Sequence, residues 1–374
     1  MAVHLTNQPS RNASRKPQTM TALPNDAWTT PQPLDNAKTL PALLYTSAEV
    51  HAEEQRRVFA RSWQCVAHVQ QLAAVGDHVV AEVAGVPLVL VRGEDGELRA
   101  LHNVCRHRAG PLASCDGRGA RALHCQYHGW TYTLSGQLRS APEMREAADF
   151  NISEIRLPQA RLEVWRGLVF VAIDQPPPLT EVLEGMDERL GNIDFNAYVH
   201  HQRISYSIAA NWKTYVDNFL EGYHLPHIHP GLNKLLDYRS YQTETATWYS
   251  LQSSPLDRAT NFYGTGEALY YFIYPNTMLN ILPGRLQTNR VLPISADRCQ
   301  VDFDFYYAPS NDPEELERRA RDLAFSDEVQ VEDIAICERV QRGLASGSYE
   351  AGRVSPKRES GVHHFHELIR RVWR

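Results

Sequence analysis

Residues 104–130 read VCRHRAGPLASCDGRGARALHCQYHGW, and two short loops within them decide the fold of the first half of the chain. Cys105-Arg-His107 is followed, after seventeen intervening residues, by Cys125-Gln-Tyr-His128. Each pair comes just after a β-type run and leads into Gly110-Pro111 or Gly129-Trp130. Two thiolates suit ferric iron, while two neutral imidazoles on the other iron remove negative charge and raise the potential to roughly -150 to +300 mV. The four residues therefore read as ligands of a [2Fe-2S] cluster of the Rieske type, which accepts electrons singly. A structural zinc is the competing reading, but zinc fingers usually pair Cys with Cys and His with His, whereas each loop here offers one of each. Gly110 and Gly129 are expected to let backbone approach the sulfurs and donate N-H bonds. Cys115 fits neither pair and reads as a bystander, and Cys65, Cys299 and Cys337 read as core cysteines.

Outward from these loops the text is β-like. HVVAEVA, VPLVLVR and ELRALHNV precede the first loop from residue 76 onward, and WTYTL and QLRS follow the second. A further hairpin, LEVW and LVFVAI around Arg166-Gly167, closes this all-β module, and the proline run at 176–178 separates it from a different texture. Beyond it, helical patterns at 179–190, 212–224, 313–344 and 362–373 alternate with β-rich runs such as YYFIYPNTMLNIL and CQVDFDFYY. The division expected is a flexible N-terminal tail and lead-in over 1–44, a cluster-binding domain over 45–175 and an α+β domain over 176–374. Order is expected to begin near Tyr45, with residues 21–43 an extended lead-in that wraps something else.

At 374 residues the chain is long enough for two units with real cores. Its 38 basic and 44 acidic side chains give a net charge of -6, which offers no general attraction to nucleic acid or anionic lipid. No window approaches the ~18 uninterrupted apolar residues of a membrane span. The opening MAVHLTNQPSRNASRKPQTM is basic and free of acids, as transit peptides are, but has no amphipathic apolar face, so a flexible tail on a cytoplasmic protein is expected. Six cysteines in so long a chain do not form a disulfide-dense framework, and neither G-x-G-x-x-G nor G-K-[ST] appears.

A second constellation lies in NWKTYVDNFLEGYHLPHIHP, residues 211–230. Asp217, Glu221 and His224 sit at i, i+4 and i+7, so a helix over 212–224 would place them on one face, with Pro226 ending it. In a continuous helix His229 would point ~140 degrees away from His224, but a break would let the following loop return it to the same metal. His227 is the rival ligand, and Pro230 directly after His229 favours the latter. Two histidines and one carboxylate on a ferrous ion leave positions open for oxygen and substrate. The carboxylate must come from elsewhere, and DEVQVEDIAICE at 327–338 offers several that pattern alone does not separate.

Together these residues resemble the α subunits of Rieske non-haem iron ring-hydroxylating oxygenases, whose motifs are C-x-H-x(15 to 17)-C-x-x-H and a D-x-x-H-x-x-x-x-H element. The likeness runs from about residue 45 to the end, and Glu221 stands where the family usually has Asp. The resemblance implies an antiparallel helix-grip-like catalytic domain of the START/Bet v1 type, a mononuclear Fe(II) held by His224, His229 and Asp333, a separate NAD(P)H-dependent reductase, and a homotrimer. Asp333 follows from the family context E-D-x-x-x-x-E-x-x-Q-R-G-L, matched from Glu332 to the run at 341–344. In the family the residue at 221 bridges to a cluster histidine of the neighbouring subunit.

Within the family the likeness is nearest to choline and carnitine monooxygenase-type enzymes. It rests on 274–276, on the D-x-x-x-Y-Q-T run at 237–243, on 341–344, on the histidines at 363–366 and on Glu at the bridge. The implied reaction is hydroxylation of a small quaternary ammonium compound, with arene dihydroxylation as the family alternative and a bare electron carrier as the alternative from another class. Trp248, Tyr263, Tyr270, Tyr271, Phe272 and Tyr274 are candidate cation-π walls for a trimethylammonium group, though aromatic stripes in β-runs are more often core. The C-terminal histidines read as packing or surface. Two hundred residues beyond the β module, holding a His-His-Asp set, argue against a carrier.

Overall fold

The computed structural model describes residues 26–236, 238–256 and 261–374. The first β system is a six-stranded antiparallel sheet built from β1 (Gln64–His68), β2 (His78–Val83), β3 (Val86–Arg92), β4 (Leu98–His102), β8 (Gln159–Trp165) and β9 (Leu168–Ala172), in the order β1-β9-β8-β4-β3-β2. Between β4 and β8 the chain makes a small three-stranded sheet of β5 (Leu123–His124), β6 (Thr131–Tyr132) and β7 (Leu138–Ser140). Two of the hairpins are two-residue turns with both central residues at positive φ, Ala84-Gly85 (53° and 74°) and Arg166-Gly167 (47° and 86°). That turn matches the right-handed twist of the flanking strands. The hairpin expected around Arg166-Gly167 therefore forms.

The second system is a seven-stranded antiparallel sheet of β10 (Val199–Ile208), β11 (Gln242–Thr245), β12 (Tyr249–Leu256), β13 (Gly266–Ile273), β14 (Thr277–Leu282), β15 (Arg285–Ser295) and β16 (Arg298–Tyr307), in the order β10-β16-β15-β14-β13-β12-β11. Its side chains alternate between two cores, as the two-residue period of a strand requires. On β16, Val301, Phe303, Phe305 and Tyr307 enter one core, with Trp212, Cys337 and Phe365 from three helices. Tyr271, Ile273 and Tyr306 enter the other, with Cys65, Leu168 and Phe170 from the first β system. The sheet is thus the wall between helices and cluster-binding module. Among the helices are α1 (Ala48–Glu54), α2 (Trp212–Phe219), the short α3 (Leu225–Ile228), the long α4 (Pro313–Ala345) and α5 (Ser360–Trp373). The mixed α+β architecture with antiparallel sheets agrees with expectation. No helix among the described residues is long and apolar enough to cross a membrane.

From residue 26 on, the extended lead-in wraps the helical core as expected, but order does not wait for Tyr45. Trp28 packs edge-on to Trp373 at 6.2 Å between ring centroids. Arg370 donates from Nε to the Trp28 carbonyl at 2.9 Å and from Nη2 to the Lys38 carbonyl at 2.7 Å. Leu40, Leu44 and Tyr45 are buried in the helical core. The segment looks like coil locally because its partners lie more than three hundred residues away. The tail over 1–25 lies outside the described residues.

Candidate metal centres

The two cluster loops are built alike. The Cys105 N-H donates to the Gly110 carbonyl and the Ala109 N-H to the Cys105 carbonyl, at 2.9 and 3.0 Å; Cys125 with Trp130, and Gly129 with Cys125, repeat both bonds at the same distances. Each loop turns at positive φ in the position four after its cysteine, Ala109 at 55° and Gly129 at 75°. At Gly129 glycine suits that conformation and does not serve space, since a Cβ there would meet only the Pro142 ring at 3.5 Å. Gly110 is needed for space: a Cβ there would lie 2.9 Å from the Cys125 sulfur. The expectation of close approach to sulfur therefore holds for Gly110 and is replaced by backbone conformation for Gly129.

Cys105 and Cys125 are buried free thiols. The His107 and His128 rings stand 4.6 Å apart at 74°, and His107 stacks on Trp130 at 4.8 Å. The His107 Nδ1 is buried with no hydrogen-bond partner. A buried nitrogen without a partner, in paired loops whose two cysteines are buried and unbridged, has the chemistry of a metal-ligand set, so these residues fit a [2Fe-2S] cluster. Tyr132 was not singled out from sequence. Its hydroxyl lies 3.3 Å from the Cys105 sulfur and accepts the Arg106 N-H at 2.9 Å. Burial, reinforced by Cys105, pushes its pKa up, so it stays a neutral donor toward sulfur. Cys115 is exposed, and Cys65, Cys299 and Cys337 are buried, as expected.

The second centre corrects one expectation and sharpens another. α2 ends at Phe219, five residues before His224, so Asp217, Glu221 and His224 do not share a helix face. The cause is local: the Glu221 carboxylate accepts the N-H groups of Tyr223 and His224, capping the turn that enters α3. Pro226 sits in the first turn of α3, where proline is tolerated, and so starts a helix rather than ending one. Gly222 lets the Tyr241 ring approach that turn, where a Cβ would lie 2.8 Å from it. Asp217 faces away, accepting from the Tyr45 hydroxyl at 2.6 Å and the His366 Nε2 at 2.9 Å.

His224, His229 and Asp333 converge, each offering one ligand atom within 4.8 Å of the others. Asp333 Oδ1 stands 3.0 Å from His229 Nε2 and 3.7 Å from His224 Nε2. The opposite nitrogens are held by carboxylates, His224 Nδ1 by Glu221 Oε1 and His229 Nδ1 by Glu332 Oε2, both at 2.6 Å. A proton kept on each Nδ1 leaves each Nε2 lone pair facing the third ligand, the tautomer a metal requires. Asn218 donates to Asp333 Oδ1 at 2.9 Å, fixing that carboxylate. Burial lowers the His229 pKa, but Asp333 and Glu332 outweigh it and hold it above the usual value, so protons compete with a metal for that ring. His227 is exposed and is no ligand. Asn218 was missed from sequence, and Glu332 was seen only as a rival ligand.

A cavity of about 120 Å³ lies against this triad. Of the aromatic residues expected around a cation, only Tyr263 and Tyr270 line it. Tyr271 and Phe272 are core, and Trp248 and Tyr274 line a separate surface cavity beside Arg371. Gln252, Asn280 and Gln287 add carboxamides to the lining, and the Gln252 Oε1 and Asn280 Oδ1 are buried without a partner. A second cavity opens on Glu221 and His224 from the other side, between α4 and α5. The C-terminal histidines pack: His363 Nε2 contacts the Gln32 carbonyl at 2.7 Å, and burial lowers the His364 pKa to about 4. Asp237, which opens the 237–243 run, lies outside the described residues; Tyr241 from that run lines the first cavity.

Comparison with known proteins matches residues 195–374 to a model described as ring hydroxylating alpha subunit (catalytic domain) and residues 62–158 to a Rieske [2Fe-2S] domain. The chain is 36% identical to the chloroplastic choline monooxygenase of Arabidopsis thaliana over 90% of this chain and 83% of that one. It is 33% identical to the carnitine monooxygenase oxygenase subunit of Escherichia coli K12, over 96% and 97% of the two chains. A solved quaternary ammonium Rieske monooxygenase, studied for carnitine oxidation by gut microbiota and inter-subunit electron transfer, superposes with a TM-score of 0.84 at 28% identity, covering 92% of this chain and all of that one.

Proposed function

This chain belongs to the family of Rieske-type ring-hydroxylating oxygenase α subunits, and on that premise we propose that it oxidises a small quaternary ammonium compound of the choline, carnitine or betaine type by monooxygenation or N-demethylation. Members of the family carry a [2Fe-2S] cluster and a mononuclear iron and work with a separate reductase and O2. The observation that carries the substrate reading is the lining of the cavity over His224, His229 and Asp333. Gln252, Asn280 and Gln287 bring carboxamides to it, together with the Tyr270 ring. An arene offers carboxamide oxygens no positive charge, whereas a cation is drawn to carbonyl oxygens and aromatic faces.

We assign Cys105, His107, Cys125 and His128 to the cluster, and His224, His229 and Asp333 to the iron. When bound, the two metal groups supply single electrons and a place where O2 is activated toward a substrate C-H bond. The rest is done by side chains. Glu221 and Glu332 hold the Nδ1 protons of the two histidines, and Asn218 holds the Asp333 carboxylate. Glu221 also borders the second cavity, which supports its assignment as the link to a cluster histidine of a neighbouring subunit in a homotrimer. We place the protein in the cytoplasm.

The experiment is to screen reductant consumption by the oxygenase and its reductase against choline, L-carnitine, betaines and aromatic acids. Tight coupling with a trimethylammonium compound is expected, and coupling with aromatic acids alone would overturn the reading. A further expectation concerns Glu332. Glu332→Gln keeps a hydrogen-bonding group but loses the carboxylate, so iron should bind about 10–100-fold more weakly. Titrating iron into cluster-loaded protein measures this, and unchanged affinity would show that the Glu332 charge does not strengthen His229 as a ligand.

A further inference from the structure

The iron-side cavity holds one buried charge that the reaction as described does not use. Arg285 opens β15 just after the turn at Pro283-Gly284, and its side chain is 6% exposed. It lines the same cavity as His224, His229 and Asp333. Its one ion pair among the described residues is with Asp322 on α4, Nε to Oδ2 at 3.1 Å. That contact lacks the alignment of a hydrogen bond, and Nε remains buried and unpartnered. Asp322 meanwhile accepts from two other donors: Tyr263 donates to its Oδ1 at 2.5 Å and Tyr307 donates to its Oδ2. Asp322 therefore balances the Arg285 charge while its hydrogen bonds go to the two tyrosines.

A guanidinium carries five N-H donors in a planar fork, and none of them forms a hydrogen bond to the described residues. Of these nitrogens Nε is dry, and the group that fits the fork is a carboxylate, held through two parallel charge-assisted bonds. The same positive charge repels an ammonium group nearby. The Tyr263 ring, 5.9 Å from the Arg285 guanidinium, already faces that cation. A trimethylammonium head is therefore directed away from Arg285, toward the triad end of the cavity.

We propose that Arg285 is the anion anchor of the substrate site, so that the preferred substrate is a zwitterion with a carboxylate at one end and a quaternary ammonium at the other, rather than choline. This rests on the quaternary ammonium reading above and narrows it to betaine-like compounds. The carboxylate at Arg285 fixes which end of the molecule is presented to the iron.

The test uses the metal-loaded holoenzyme and calorimetric binding of four probes: γ-butyrobetaine, its methyl ester, choline and benzoate. The ester keeps the ammonium and nearly the same shape but loses the negative charge. It and choline should bind at least about tenfold more weakly than γ-butyrobetaine, and in Arg285→Gln the gap between acid and ester should close. Equal binding of acid and ester to the unaltered enzyme overturns the anchor while leaving the quaternary ammonium reading intact. Binding of benzoate alone, lost in Arg285→Gln, overturns the quaternary ammonium reading and keeps the anchor for another carboxylate class. Binding of none of the probes, or of benzoate alone but unchanged in Arg285→Gln, overturns both. If Arg285→Gln does not fold, the acid-ester comparison on the unaltered protein still decides, and Arg285→Lys, a point charge without the fork, should narrow the gap only partly.

Discussion

His229→Ala should leave the protein brown and inactive: turnover falls on the order of 10³-fold or more, mononuclear iron is lost, and the cluster's visible spectrum is unchanged. The size of the effect follows from how the residue is held. Its side chain is 1% exposed, with Nε2 on Asp333 and Nδ1 on Glu332. Alanine removes one of three converging ligands and leaves two carboxylates facing each other without the group between them. Water can refill the space but cannot restore a neutral nitrogen donor. His224→Ala should behave likewise, with Glu221 losing its imidazole partner. The spectrum should survive because the cluster loops pack into a core of their own, with Leu112, Trp130 and Tyr132, well apart in sequence from the triad. His227→Ala is the control, since that side chain is exposed and turnover should stay within about twofold. Product formation at the native rate by His229→Ala protein would sink the ligand assignment.

The cluster ligands were legible because a binding loop must present its thiolate and imidazole within a few residues, so chemistry and sequence coincide. The triad was only partly legible. The helix over 212–224 followed from spacing, but the spacing could not reveal that Glu221 would turn its carboxylate onto the N-H groups of Tyr223 and His224 and stop the helix early. Glu332 and Asp333 are adjacent acids, and both touch His229 through different nitrogens. No pattern separates two neighbours that serve one residue from opposite sides; the choice of Asp333 came from resemblance. The aromatic run shows the same limit. Alternation predicts that Tyr270 and Tyr271 point to opposite faces, but which face meets the metal depends on where α3 and α4 lie. Arg285 left no local mark at all, since an arginine after a Pro-Gly turn reads as surface.

Glu54→Ala should destabilise the fold by about 3–5 kcal/mol, the usual loss when one partner of a buried ion pair is removed. Lys213 Nζ lies 2.6 Å from Glu54 Oε1, with the two side chains 0% and 1% exposed. The Trp212 indole donates to Glu54 Oε2 at 2.8 Å. Removing the carboxylate strands an ammonium and an indole N-H together. Burial lowers the Lys213 pKa although Glu54 opposes it, so without Glu54 the lysine is driven toward the neutral form. Lys213→Met should be comparably damaging, because it leaves the carboxylate unpaired. The double variant Glu54→Leu with Lys213→Met should recover most of the loss, since two apolar groups satisfy a dry site that one charge cannot. Denaturant unfolding of the unaltered protein, Glu54→Leu, Lys213→Met and the double variant gives the coupling directly, and additive losses would exclude the pair as a unit. Turnover is expected to separate from stability. Lys213 sits in the first turn of α2, whose far end carries Asn218 and leads into Glu221, so the pair ties α1 to the helix that aims the Asp333 carboxylate. A double variant that regains stability but not full turnover would mean that the ion pair sets the position of α2, which apolar packing fills without fixing.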